Sequence, residues 1–455
     1  MSFFQLFLKI ADNSQAKEGV SWKLHYWSQA DDGTVIEAPR LFEVRALPPL
    51  NGKQPKKLTW ELWGSYFSAM DNEALRRDTF ETMRAAGFNS MMAGDRWTSD
   101  NGKQYEIANA KMVNFKPYSI NLAPYLQDHP DERLIDHNGK RDDGAMCTTL
   151  LVGEDWKVAA PILADIIRKD NPSSVNYDYE YSPLTGPHSC YCDRCLAAFR
   201  ERQHIATDVA LTPRIIEDQY LTKWQDFMGY RAAQILAKMK ETVHQTLPGV
   251  PFATYSLFQS PRSLAVYGID WNYIGQLKAV DKAEAGLGRP IDEIEATYKA
   301  LDGIPLRLGV WMTPYSPDDL APARITSKAE LLRRALDATE GTLVYDRNPL
   351  DGRSWTAIAE TTRLVADYED LFLAHKLAEI PGQDSANVQL LKGDKESLLC
   401  VMNETTKPVT YDFRIPAELG GGKEFYSGKT IVAGGTVSIT LQPGDSAAYV
   451  LSTSH

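Results

Sequence analysis

The feature that most constrains this chain is a repeat in kind rather than in sequence. Between about residues 58 and 373, short apolar runs alternate with stretches of helical period, eight times over. The first run is Leu58-Thr59-Trp60-Glu61-Leu62-Trp63, and strands are predicted next over 89–93, 112–118, 175–181, 252–257, 280–285, 306–312 and 342–345. The intervening helices are predicted over 71–87, 155–169, 213–247, from about 270, and over 290–301, 328–339 and 355–373. In the first of these, Asp71 reads as the N-cap, Leu75, Phe80 and Met83 face inward, and Gly87 closes the end. Strands that alternate with helices form parallel sheets. Eight such units favour an α/β fold of the closed (β/α)8 TIM-barrel type over an open sheet, and no Gly-rich phosphate loop opens any helix.

The flanks read differently. Residues 20–50 alternate polar and apolar around a turn at Asp31-Asp32-Gly33, too few strands to stand alone. After Pro381-Gly382 the helical signal stops, and short strands follow between Gly-rich turns. The expected organisation is an N-terminal β extension over 1–57, a catalytic barrel over 58–380 and a small C-terminal β-sandwich over 381–455.

With 49 Lys+Arg against 60 Asp+Glu, the chain carries a formal charge of −11. That argues against nucleic acid, which needs a basic footprint to release counterions, and against an anionic membrane surface. No run of about 18 to 20 apolar residues predicts a membrane span. The apolar opening Phe3-Phe4-Gln5-Leu6-Phe7-Leu8 lacks a basic start and a cleavage site, so it is not read as a signal peptide. An intracellular protein and a processed secreted form both remain open, and self-association into a homo-oligomer is compatible with the sequence. The aromatic content, 10 Trp, 21 Tyr and 15 Phe, suits carbohydrate, because aromatic faces pack on the C–H faces of sugars.

Two clusters carry chemistry. Cys190, Cys192 and Cys195 are spaced as metal ligands, and Cys147 or His188 offers a fourth to a tetrahedral zinc. Such a closed shell is structural, since it leaves no position for substrate. Cys400 lies in an alternating run and reads as a buried strand residue. The fourth strand ends in Asn176-Tyr177-Asp178-Tyr179-Glu180-Tyr181. Residues two apart on a strand share a face, so Asp178 and Glu180 point the same way and Glu180 lies nearer the mouth. Two close carboxylates raise each other's proton affinity, which suits a general acid.

From Asp178-Tyr179-Glu180-Tyr181 through Cys190-Tyr191-Cys192-Asp193-Arg194-Cys195 to Phe199-Arg200, the chain resembles glycoside hydrolase family 42, the β-galactosidases of clan A. Residues 78–89 with Trp97, and His129-Pro130, Asp136–Gly139 and Cys147, extend the likeness over 60–200. The resemblance implies Glu180 as acid/base and Cys147, Cys190, Cys192 and Cys195 as a structural zinc site. It also exposes two departures. The family's Asn before the acid/base, which holds the sugar 2-hydroxyl, is here Tyr179. Its seventh-strand nucleophilic Glu has no counterpart before Asp318.

A second carboxylate is therefore sought elsewhere: Glu284 first, because 281–286 is polar where a barrel strand should be apolar, then Asp178 and Asp346. Carboxylates about 5 to 5.5 Å apart give retention, and roughly 6.5 to 9.5 Å gives inversion. The Asp-x-Glu pattern also occurs in chitinase-type barrels, where the sugar's acetamido group is the nucleophile. Strand-end aromatics at Trp63, Tyr66, Trp97, Tyr255, Phe258, Trp311 and Tyr315 are expected sugar platforms, with Arg96, Asp346 and Arg347 as polar contacts. The expected function is a glycoside hydrolase acting on an oligo- or polysaccharide. The competing expectation is a non-catalytic carbohydrate-binding barrel.

Overall fold

The computed structural model describes residues 17–453, except 31, 65–66, 68–69, 71, 93, 116–118, 187, 287–290, 312–327, 346–349, 351, 381, 385–386 and 417. Eight parallel strands close into a barrel in chain order: Thr59–Trp63, Ser90–Met91, Ala108–Val113, Ser174–Asp178, Phe252–Ser256, Lys282–Ala285, Leu306–Trp311 and Gly341–Tyr345. The eighth strand returns to the first, with Tyr345 opposite Trp63. This is a TIM barrel, as the alternation requires.

Along the first strand Trp60 and Leu62 point outward into the helix layer, where both are buried, while Glu61 and Trp63 point inward. Trp63 meets Tyr255 of the fifth strand with ring centroids 5.2 Å apart, a contact that crosses the barrel interior. The helices sit close to their predicted places. Asn72, one residue after the predicted Asp71, caps helix Glu73–Ala85 by accepting from the Leu75 N–H at 3.2 Å; Asp71 itself lies outside the described residues. Gly87 follows at φ +88°, and a Cβ there would collide with Thr362 of the last barrel helix. The long helix predicted over 213–247 breaks at Tyr220 into Pro213–Gln219 and Leu221–Thr246. The one predicted over 355–373 breaks at Tyr368 into Gly352–Asp367 and Glu369–Ala374. The second break turns Glu369 toward the first barrel strand, where its carboxylate accepts from the N–H groups of Lys57 and Leu58, both at 2.7 Å.

Outside the barrel, Ser21–Gln29 pairs antiparallel with Val35–Arg45. The C-terminal region forms an antiparallel six-stranded sheet packed on the pair Val409–Arg414 and Thr436–Leu441. Its edge strand, Leu377–Ala378, starts just before the expected boundary at 381. Strand Glu396–Met402 explains how this sheet joins the barrel. Leu398, Cys400 and Met402 face the barrel helices, sharing a core with Leu332, Leu336 and Leu364. Leu399 and Val401 face Tyr411 and Phe413 in the sandwich. Cys400 is thus a core residue, and burial pushes its thiol up to about 12. Among the described residues no helix is long and apolar enough to cross a membrane.

The barrel interior is polar where the outer faces are apolar. Arg307 of the seventh strand reaches Glu61 Oε1 at 2.9 Å and Glu284 Oε1 at 2.7 Å through Nη1, and Glu340 Oε2 at 2.7 Å through Nε. Ser90 Oγ donates to Glu61 at 2.6 Å, Asn176 Nδ2 donates to Glu284, and Lys282 and Thr59 close on Glu340. Three carboxylates thus face two cations, so one proton is best kept within the cluster. Burial pushes Glu284 up to about 8, against the pull of Arg307. Burial also acts to raise Glu340, but Arg307 and Lys282 outweigh it and hold that carboxyl down at about 2.

Removing one member of a buried charge cluster strands the rest, at a cost of about 3–5 kcal/mol. Arg307→Met is expected to destabilise the fold by that order, read as a lowered urea midpoint. Because the folded-state value of Glu284 lies above the ordinary 4.5, its contribution to stability is full below pH 4.5 and is lost as pH rises through about 8. Stability curves should therefore fall across that window, by up to about 1.4 kcal/mol per pH unit, and Glu284→Gln should flatten them. An unchanged slope in the variant would assign the proton elsewhere.

Candidate active site

The C-terminal end of the fourth strand is built by alternation. Asn176 and Asp178 face the interior; Tyr177 and Tyr179 face outward and are buried in the helix layer. Pairing with the fifth strand runs past Asp178, which lies opposite Tyr255. The Tyr179 N–H donates to Tyr255 O at 2.9 Å, and Ser256 Oγ donates to Tyr179 O at 2.8 Å. The backbone on which Glu180 stands is therefore held up to its own neighbour. Asp178 and Glu180 are both half-buried. Burial raises the Tyr255 phenol, and the charges of Glu180 and Asp178 raise it further. Tyr345 is raised the same way, by burial first, with Glu284 and Glu180 among the contributing charges. The inward carboxylates of the fourth and sixth strands thus act on one pair of phenols.

Trp63, Tyr255 and Tyr345, from the first, fifth and eighth strands, form an interior aromatic layer with centroids 5.2 to 5.7 Å apart. Two glycines make room for it. A Cβ at Gly309 would lie 2.5 Å from the Tyr345 ring, and one at Gly286 would strike its hydroxyl. These glycines stand two residues beyond Arg307 and Glu284 on their strands, so Tyr345 covers the Arg307 cluster on its mouth side. Glu284, expected near the end of the sixth strand, is the next-to-last residue of Lys282–Ala285, but it is 2% exposed and engaged by Arg307 and Asn176.

Other expected contacts part company with this site. Asp95 caps the short helix Arg96–Asn101, which turns Arg96 to solvent, where it pairs with Asp100 at 2.9 Å. Trp97 stacks on Phe80 at 5.7 Å beneath Arg76, as part of the helix layer. Phe258 is buried core. Trp311 ends the seventh strand, paired in register with Tyr345. Tyr66, Tyr315, Asp346 and Arg347 lie outside the described residues. Sequence reasoning missed Arg307, Glu61 and Tyr345. The signal was a charge in the middle of each of two apolar strands, Thr59-Trp60-Glu61-Leu62-Trp63 and Leu306-Arg307-Leu308.

The four cysteines converge on one another. Cys147 follows the hairpin Arg133–Ile135 and Arg141–Met146, while Cys192 and Cys195 open helix Asp193–Arg202. All four are buried thiols without disulfides, and their sulfurs lie within 4.8 Å of one another, Cys147 being 3.3 Å from Cys192 and 3.4 Å from Cys195. Metal–sulfur bonds of about 2.3 Å in a tetrahedron need sulfurs about 3.8 Å apart. The soft, buried donor set therefore fits a metal ion. His188 is not part of it: its Nε2 lies 2.8 Å from the Tyr177 hydroxyl, and its ring stacks on Tyr179. Burial pushes this imidazole down to about 3, leaving it neutral.

No protein-family model and no curated protein sequence matches the chain. Solved structures do resemble it in fold. A catalytic mutant of a β-galactosidase of glycoside hydrolase family 42 from G. stearothermophilus superposes with a TM-score of 0.58 at 9% identity, over 88% of this chain and 100% of that one. The β-galactosidase from Bacillus circulans sp. alkalophilus gives 0.56 at 10% identity, over 89% of this chain and 100% of that one. At these identities the likeness is one of fold: a TIM barrel with a C-terminal β region, shared with β-galactosidases.

Proposed function

We propose that the chain is a glycoside hydrolase in which Glu180 is the general acid/base. The observation that carries this reading is the pair Asp178 and Glu180, set on one inward face at the C-terminal end of the fourth barrel strand beside Trp63, Tyr255 and Tyr345. The fold shared with β-galactosidases adds weight and makes a galactoside the first substrate to try. In the proposed reaction the protonated Glu180 gives its proton to the glycosidic oxygen as the C–O bond breaks, and the resulting carboxylate later takes a proton from the attacking water. Asp178 is the carboxylate beside it and the proposed second group. It would stabilise the positive charge developing on the sugar ring or orient a substrate acetamido group. Glu284, gripped by Arg307, serves the barrel interior in this reading. The Cys147, Cys190, Cys192 and Cys195 cluster would hold a structural zinc, whose closed shell of thiolates fixes the loop without touching substrate.

A panel of nitrophenyl glycosides, including the β-galactoside and the N-acetyl-β-glucosaminide, tests the reading. Glu180→Gln is expected to lower kcat by about 10²–10⁴-fold with the far-UV spectrum intact. Near-normal turnover would remove Glu180 from the role, and binding of a sugar without any hydrolysis would favour a non-catalytic carbohydrate-binding barrel. Preferential cleavage of the N-acetylhexosaminide would identify substrate assistance through Asp178. Freshly purified protein should carry one zinc per chain by elemental analysis. Cys195→Ser should lose the metal and melt at a lower temperature, whereas a fully folded protein with substoichiometric metal would contradict the zinc assignment.

A further inference from the structure

We infer that His188 is a positioning residue for Glu180, a wedge through which the four-cysteine loop sets the direction of the fourth strand's last turn. This rests on the reading of Glu180 as general acid. The argument is geometric. Tyr177, Tyr179 and Tyr181 alternate with Asp178 and Glu180, so the tyrosines present the back of the segment whose front presents the carboxylates. All three rings converge on His188. The Tyr179 ring stacks on it at 5.6 Å and 13°, and Tyr181 meets it edge-on at 5.3 Å. The Tyr177 hydroxyl lies 2.8 Å from its Nε2, and Phe115 closes a further side at 5.3 Å and 87°. The imidazole is 2% exposed.

Two residues later the chain enters the cysteine cluster at Cys190, so one end of the wedge is anchored. The loop between is fastened as well. Ser189 Oγ and Trp224 Nε1 both donate to Pro183 O, the latter at 2.9 Å, and the Tyr191 N–H donates to Ile135 O at 2.8 Å. Glu180 is thus clamped between two tyrosines that rest on one ring. Strand pairing to Tyr255 ends at Tyr179, so beyond that point His188 takes over what the sheet no longer supplies. A general acid displaced by about 1 Å can lose on the order of 10²-fold in rate, which makes such a clamp consequential.

Three variants separate the parts of the clamp. His188→Phe keeps a ring for Tyr179 but loses the bond to Tyr177, His188→Gln keeps a bonding partner but loses the stack, and Tyr177→Phe removes only the hydroxyl. They are to be assayed beside Glu180→Gln on whichever nitrophenyl glycoside the wild type cleaves fastest, with zinc content and melting temperature measured on each. The expected result is a kcat about tenfold to a hundredfold lower for the His188 variants and several-fold lower for Tyr177→Phe, at unchanged KM. Their zinc should stay stoichiometric, and the alkaline limb of the kcat/KM pH profile should move. Wild-type kcat and pH profile in all three would overturn the inference. So would activity lost only in proportion to lost zinc or lost fold, which would make His188 a packing residue. Full activity in Glu180→Gln, or a wild type inert toward the whole panel, would instead overturn the reading of Glu180 and take this inference with it.

Discussion

Arg307 stands at the centre of the barrel, and the layers above it depend on how its charge is met. A guanidinium buried among apolar strands carries a desolvation cost that one carboxylate seldom offsets. Here Glu61, Glu284 and Glu340 converge on it from the first strand, the sixth strand and the turn entering the eighth. Those strands lie around the closure of the barrel, so the cluster ties the last part of the sheet to its beginning. It also makes the interior polar at that level, which forces the next layer to be its cover. Trp63, Tyr255 and Tyr345 provide that cover, and Gly286 and Gly309 are the places where a side chain was given up so that Tyr345 could lie flat.

The aromatic layer in turn gives Asp178 and Glu180 their surroundings. Carboxylates next to phenols and an indole are less well solvated than carboxylates in water, and the two sit close in sequence on one face. The molecule therefore holds two carboxylate assemblies of different character. The lower one is neutralised by Arg307 and Lys282 and belongs to the fold. The upper one, Asp178 and Glu180, stands at the strand end against Tyr255 and belongs to the proposed site.

Much of this was legible in the sequence, for identifiable reasons. The barrel could be read because a parallel strand buried on both faces stays apolar while its helices keep a 3.6-residue period; seven strands fell where the alternation predicted, whereas the third, expected over 112–118, runs Ala108–Val113. The placement of Asp178 and Glu180 on one face follows from the two-residue period of a strand, and three of the four clustered cysteines from their spacing, which left Cys147 and His188 both open as the fourth. What could not be read was the third dimension of the interior. Glu284 stood out because Lys282-Ala283-Glu284 is polar, but a polar strand also results when a buried arginine needs partners, and nothing local reveals that Arg307 lies opposite. Arg96 and Trp97 followed a predicted strand, and were expected at the mouth. The chain instead turns at once into a helix capped by Asp95, which carries both away from the barrel axis.

The same geometry gives physical content to the departure at Tyr179. In the family that the fourth strand resembles, an asparagine holds the sugar 2-hydroxyl from this position. Tyr179 is buried, stacked on His188 and tied through its backbone to Tyr255 and Ser256, so its phenol is part of the barrel's outer packing. A large ring at that place needs something outside the strand to pack on, and His188 provides it. Recognition of the 2-hydroxyl, if the substrate has one to recognise, must come from another residue at the mouth. In the proposed reading, Glu180 is then held from behind the strand, through the tyrosines packed on His188.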